Sequence, residues 1–265
     1  MLKIPAFKHP SNSSLVTTFK QPNVEESLSF LGLNPDLEEK ITTDYLNTLL
    51  VETSAHKNTE KWTTGDRRTA LWWIFINIMP ESELTFSYEC EHCGSVHIED
   101  INLMMLDEEV TTHKRLPELT TKLSFIGRTM SVTAKPLDGE AAAMLEDYRL
   151  DLLDAIEQED ALQEQSIKAN MKIVEVALSI EVEQLDIDQK IKLINALTIP
   201  EVMKLFSFVE SAKQELRHGL HTQLTDGKCQ IVSPPLVCQS DDGEKEGVSS
   251  RLLINFRSID FIPAF

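Results

Sequence analysis

The chain has 265 residues, and its 43 acidic side chains against 25 basic ones give a formal net charge of −18. Surfaces that bind nucleic acid or anionic membranes need clustered Lys and Arg, so this charge argues against both kinds of partner. Four cysteines are too few for a disulfide scaffold, and no apolar run approaches the roughly 20 residues that span a bilayer. We therefore expect an acidic, soluble protein made inside the cell.

The first 80 residues predict a β-hairpin and two helices. The small polar side chains of Ser11–Ser14 are typical of a turn between two short strands. From Asp36 to Leu50, apolar residues recur every three or four positions, which predicts an amphipathic helix. After a polar loop, Gly65–Asp66 precede the segment Leu71–Ile78, which is apolar on almost every side and predicts a central helix.

Period-two patterns then predict strands, and helical patterns follow them. Residues 84–90 alternate apolar with polar, and a tight turn leads to a second strand whose apolar residues begin with Val96 and Ile98. Another hairpin is expected over 123–134. The helical patterns cover one long helix from Ala141 to Glu164, then Ile167 to Val182, a short helix capped by Asp188, and a last helix with Pro200 at its first position.

The negative charge is concentrated in the helical part of the chain. Residues 138–188 hold fifteen acidic and three basic side chains, which is two thirds of the whole excess. One interpretation is a solvated helix surface. The other is an acidic docking surface for a basic partner, which would speed association more than it tightens binding.

The strongest chemical signal is the motif Cys90-x-x-Cys93-Gly94. Two thiolates at this spacing can bind one ion, and the glycine permits the positive φ angle that such a turn requires. Flanking strands are typical of a zinc ribbon. The other two cysteines, Cys229 and Cys238, complete a predicted four-thiolate structural Zn²⁺ site.

Alternatives to this site remain open. Cys229 and Cys238 are nine positions apart, a spacing much less diagnostic than Cys-x-x-Cys, and His92 and His97 could replace them as ligands. The motif could also hold free thiols without an ion. A redox role is disfavoured because no helix is predicted after Cys93.

The sequence offers no recognisable catalytic motif. None of the seven histidines lies in a nucleophile motif, and phosphate-binding glycine patterns do not occur. A zinc ion with four protein ligands would also have no open position for water. We therefore predict that the chain is not an enzyme.

The order of these segments resembles the baseplate hub protein family of T-even-like tailed bacteriophages. The similarity rests on a hairpin, a helix, a Gly-Asp-led apolar helix, a strand entering Cys-x-x-Cys-Gly, a further strand, a Leu-Pro-Glu-Leu segment and a strand that ends before a helix. In this chain those segments are Ala6–Phe19, Asp36–Leu50, Thr64–Ile78, Tyr88–Gly94, Ile98–Leu103, Leu116–Leu119 and Ala134–Pro136.

The resemblance implies a structural protein of the viral tail, made in the host cytoplasm and present in the virion. Its partners would be other hub proteins or the tape-measure protein, and the resemblance leaves open whether the chain also forms a homo-oligomer. The alternative is a tail-assembly chaperone that binds the tape-measure protein and leaves before the virion matures. A zinc-ribbon adaptor for nucleic acid is a third hypothesis, which the net charge of −18 disfavours.

We predict an α+β fold with a small β-rich, zinc-ribbon-like module built from both chain ends beside a helical domain. The predicted divisions are 1–135 for the hairpin, two helices and the ribbon, 136–220 for the acidic helices, and 221–265 for a segment returning to the module. The end of that segment, Phe261–Phe265, is apolar and should be costly to expose. It would either dock on its own core or insert into a neighbouring subunit.

Overall fold

Helices alternate with small antiparallel sheets along the chain, and the predicted α+β class is confirmed. The computed structural model describes residues 4–31, 34, 36–79, 83–225, 228–238, 249–255 and 257–263. In these ranges no helix combines the length and apolar character needed to cross a bilayer.

The N-terminal hairpin is confirmed and extends to three strands. β1 (Phe7–His9) and β2 (Asn12–Phe19) pair antiparallel, and β3 (Leu50–Thr53) joins the other edge of β2. In the sequence, α1 (Val24–Leu31) and α2 (Glu38–Leu49) lie between β2 and β3, and α2 is the amphipathic helix that the periodicity predicts.

The apolar helix α3 (Thr64–Ile78) is central, as its composition predicts. Leu71, Trp72 and Ile74 are each at most 1% exposed. It is followed by the hairpin of β4 (Glu83–Glu89) and β5 (Val96–Asn102), paired antiparallel along their whole length.

The middle of the chain folds into a sheet covered by helices. Its elements are β6 (Leu119–Phe125), β7 (Arg128–Ala134), α4 (Gly139–Glu157), α5 (Ala161–Ser179), β8 (Ile180–Val182), α6 (Ile187–Ala196) and α7 (Ile199–Glu215). The sheet order is β6-β7-β8, so β8, the strand after α5, pairs with β7 at the edge of the β6–β7 hairpin.

The predicted helix boundaries in this region are partly wrong. The helix expected from Ala141 to Glu164 is interrupted, because Glu159 has a φ of 54° and Asp160 caps α5 by accepting a hydrogen bond from the Gln163 amide. The helix expected to reach Val182 ends at Ser179, because the last three residues pair with β7. Asp186 rather than Asp188 caps α6, in a reciprocal capping box with Gln189.

The C-terminal strands pack against the N-terminal half. Their bounds are β9 (Thr222–Thr225), β10 (Lys228–Val232), β11 (Leu236–Val237), β12 (Ser249–Ser250) and β13 (Leu253–Asn255), arranged as β13-β10-β9 and β11-β12. Phe261 and Ile262 are 5% and 3% exposed, and the Phe261 ring lies 5.3 Å from that of Phe75. These two residues dock on the chain's own core, while Ala264 and Phe265 lie outside the described residues.

Two main apolar cores organise the structure. The larger core joins both chain ends, with Phe7 and Phe19 in the same cluster as Ile231 and Ile254 and with α2 and α3 between them. The second core packs β6, β7 and β8 against α5, α6 and α7. The β6–β7 hairpin, which lies before residue 135, therefore shares its core with α5, α6 and α7, which lie after it.

A partly buried carboxylate fixes α4 on the first turn of α2. Both Glu146 carboxylate oxygens lie within 3.2 Å of the Glu39 amide, and Arg149 lies 3.4 Å away. Burial raises the pKa of Glu146 to about 7, and the neighbouring carboxylates of Glu39 and Glu38 add to this rise. The hydrogen bond from the Glu39 amide and the charge of Arg149 oppose it. The hydrogen bond from Glu39 therefore holds the two helices together, whereas ionisation of Glu146 at this buried position costs stability.

We predict that Glu146→Gln stabilises the protein above neutral pH. Because the pKa is raised on folding, the wild type loses stability as pH rises from about 4.5 to about 7, by about 3 kcal/mol. Gln keeps the acceptor and removes the charge, so its gain should be near zero at about pH 4.5 and largest above about pH 7. Urea unfolding across this range measures the difference, with exposed Glu157→Gln as the control. A gain independent of pH would contradict the assignment.

Candidate metal centre

The Cys-x-x-Cys motif forms a tight turn at the end of the β4–β5 hairpin. The Gly94 amide donates to the Cys90 carbonyl at 2.8 Å, and the Cys90 amide donates to the Ser95 carbonyl at 2.9 Å. Gly94 has a φ of 71°, in the left-handed region that favours glycine. This geometry directs two thiols toward one point, with Cys90 at 1% exposure.

The strand after the turn adds a histidine to the same side. β5 pairs with β4 so that His97 stands opposite Tyr88, and His97 is 8% exposed. Its neighbours Val96 and Ile98 face outward at 69% and 66% exposure, although their apolar character suggests burial. Successive side chains of a strand point to opposite faces, so His97 and its neighbours Val96 and Ile98 cannot face the same way. Here His97 faces inward.

The fourth potential ligand comes from the C-terminal part of the chain. Cys238 directly follows β11 and is 4% exposed. Its sulfur lies 3.9 Å from His97 Nε2, which in turn lies 3.2 Å from Cys93 Sγ. One potential ligand atom from each of Cys90, Cys93, His97 and Cys238 lies within 4.8 Å of all the others.

The four atoms are close enough to one another to bind a single metal ion. Metal–sulfur bonds of about 2.3 Å place two thiolates of a tetrahedral site roughly 3.7 Å apart, which is compatible with the observed cluster. The hydrogen bond from the Ser95 amide lowers the pKa of Cys93 to about 6 against the effect of burial, and hydrogen bonds with His97 and Cys238 lower it further. The thiolate is the form that binds metals. These residues can therefore bind a metal ion.

Cys229, expected as a ligand, lies elsewhere. It stands within β10, is 7% exposed, and belongs to the larger apolar core. Burial raises the pKa of its thiol, with Arg68 opposing. The structure brings together three of the four predicted cysteine ligands and supplies His97 in place of Cys229. His92, the other substitute considered, is not in the cluster.

The sequence contains a signal that could have favoured this set. His97 lies four positions after Cys93, on a strand whose inward-facing positions can be counted from the turn. Cys229, by contrast, is followed by Gln230, Ile231 and Val232 in a strand that packs into the apolar core. The position of Cys238 depends on how the C-terminal strands return, which local patterns do not encode.

A second polar cluster lies beneath β1 and was not expected. His9 Nε2 is 2.8 Å from Thr17 Oγ1, and His9 Nδ1 is 3.3 Å from the Asp66 carboxylate, which also accepts from Ser11. The combination of hydroxyl, imidazole and carboxylate occurs in hydrolases. Here all four residues are at most 3% exposed, so a substrate cannot reach Thr17, and the cluster joins β1 to α3.

Comparison with known proteins identifies no relative. No protein-family model matches the chain, and neither the curated proteins nor the solved structures include a match.

We predict that the metal content depends on Cys238 and not on Cys229. Cys238→Ala removes a ligand and should weaken metal binding at least about tenfold, while Cys229→Ala should leave the stoichiometry at one ion per chain. The two variants remove the same atom from buried sites, so Cys229→Ala controls for general destabilisation. Elemental analysis after dialysis against a weak chelator measures the ion. Equal loss from both variants would contradict the assignment.

Proposed function

We propose that Cys90, Cys93, His97 and Cys238 hold one structural Zn²⁺ ion. Three thiolates and one imidazole are a ligand set typical of structural zinc, and four protein ligands leave no open position for a reacting water. Among the described residues the cluster is the one group of His, Cys, Asp and Glu side chains with this proximity. Elemental analysis that finds iron or no metal in the purified protein would overturn the choice of zinc.

The ion would act as a cross-link between distant parts of the chain. A two-stranded hairpin such as β4–β5 is marginally stable alone. Cys238 reaches it from 141 residues beyond His97, so the ion ties the C-terminal strands to the hairpin. Because binding and folding are coupled at such sites, Cys90→Ser or chelation should loosen both segments together.

We further propose that the protein is a non-enzymatic component of a bacteriophage tail baseplate hub or tail tip, acting through protein contacts. The observation that carries this proposal is the ordered set of sequence segments around Cys-x-x-Cys-Gly that resembles the hub family. A closed metal site fits a structural role. The exposed Val96 and Ile98 provide an apolar contact surface beside it.

A second candidate function is that of a tail-assembly chaperone. On the α4–α5 hairpin, the exposed acids Asp151, Asp154 and Glu157 lie in the same segment as Leu153 and Ile156, which are 46% and 48% exposed. A surface that is both acidic and apolar suits an amphipathic basic segment of a partner, whose own apolar side would otherwise be exposed before assembly.

Mass spectrometry of purified virions tests the two roles. A hub component should be found in mature particles at a fixed ratio to the other tail proteins. A chaperone should be present in lysates, should co-purify with the tape-measure protein, and should be absent from the particles. A chain that neither enters particles nor binds any tail protein would overturn both proposals, whatever its metal content.

A further inference from the structure

A cavity of about 720 Å³ lies between the two cores, away from the metal cluster. It is lined by the start of α3, the ends of α5 and α7, and the segment that leads into β9. Its volume is within the range of pockets that hold small organic ligands. None of the four cluster residues contributes to its lining.

The cavity is basic although the protein is strongly acidic. Five Lys and Arg side chains line it against two Glu, in a chain with a net charge of −18. Four of the charges neutralise one another: Lys172 and Lys213 each form ion pairs with both Glu175 and Glu210, at 2.5–3.2 Å. A fifth group, Lys135, is paired with Glu181 outside the lining.

The remaining two cations of the lining are Arg68 and Arg217. Arg68 is half-buried and forms no side-chain hydrogen bond or salt bridge at contact distance within the described ranges of the chain. Burial lowers the pKa of Arg68, and the nearby charges of Cys229, Glu39 and Glu38 raise it. Arg217 is exposed and donates to His221 Nε2 at 2.7 Å. That contact requires a neutral His221 ring, in keeping with a pKa that burial and Arg217 lower.

The N-terminus of α3 adds a backbone donor to the same wall. The amides of Thr64, Asp66 and Arg67 have hydrogen-bond partners, but that of Gly65 has none among the described residues. Gly65 lines the cavity one turn before Arg68. A free amide at a helix N-terminus beside an Arg is a favourable environment for a phosphate oxygen.

We propose that this cavity binds a small organic phosphate, whose phosphate group contacts Arg68, Arg217 and the Gly65 amide. The apolar side chains of Val209, Leu216 and Leu220 supply the surface for its organic part. The lining holds five cations against two carboxylates, an excess that suits the negative charge of a phosphate monoester near neutral pH. This site is independent of the proposed role in a phage tail.

Isothermal titration calorimetry with phenyl phosphate tests the proposal. The purified full chain should bind phenyl phosphate, bind inorganic phosphate more weakly, and bind phenol least, with affinity falling as salt increases. Benzoate serves as the carboxylate probe: tighter binding of benzoate than of phenyl phosphate would overturn the choice of phosphate. Absence of measurable heat with every probe would overturn the site itself.

Variants locate the binding to this cavity. Arg68→Gln should weaken phenyl phosphate binding about tenfold or more, because a charge-assisted hydrogen bond is lost, and Arg217→Gln should also weaken it. Arg128→Gln, which changes an exposed Arg outside the lining, is the matched control and should bind as the wild type does. If Arg68→Gln fails to fold, the exposed Arg217→Gln carries the test. Unchanged affinity in folded Arg68→Gln or in Arg217→Gln would overturn the proposal.

Discussion

The first turn of α3 is the constraint on which the rest of the structure depends. Thr63 bonds to His218, Asp66 bonds to His9 and Ser11, and Arg67 pairs with Glu39, so each successive side chain holds a different segment. Burial opposes ionisation of Asp66, yet its hydrogen bonds from His9 and Ser11 lower its pKa. Because buried polar groups are costly when unpaired, these contacts must form together, and they specify how β1, α2 and the end of α7 meet.

Close backbone approach completes this junction and places the two candidate sites. A Cβ atom at Gly65 would lie 2.7 Å from the His218 carbonyl oxygen, and one at Gly139 would lie 1.9 Å from Arg67 Nη1. The chain leaves α7 through Gly219, which has a φ of 78°, and enters the C-terminal strands that carry Cys238. The same turn leaves Arg68 beside the cavity. The Gly-Asp-Arg segment of the sequence is therefore explained by packing, independently of any family resemblance.

The sequence predicts those features that depend on neighbours in the chain. The three hairpins, the central apolar helix and the tight turn at Cys90 and Cys93 follow from local periodicity and turn chemistry. The break at Glu159 was missed, because the helical pattern continues across it and only Asp160 signals a new start. The choice of Cys238 rather than Cys229 does not follow from local patterns, because it depends on which part of the C-terminal segment reaches the hairpin.

The net charge is a poor guide to the individual surfaces of this protein. A total of −18 argues against an extended phosphate-binding surface, since such surfaces need many exposed cations. It does not describe a concave site, where low-dielectric walls strengthen the effect of one or two nearby cations and distant surface charges are screened by salt. The acids at the tip of the α4–α5 hairpin are exposed, whereas Arg68 is half-buried in the lining of the cavity. An acidic surface for a basic protein partner and a basic cavity for a small anion are therefore compatible in one chain.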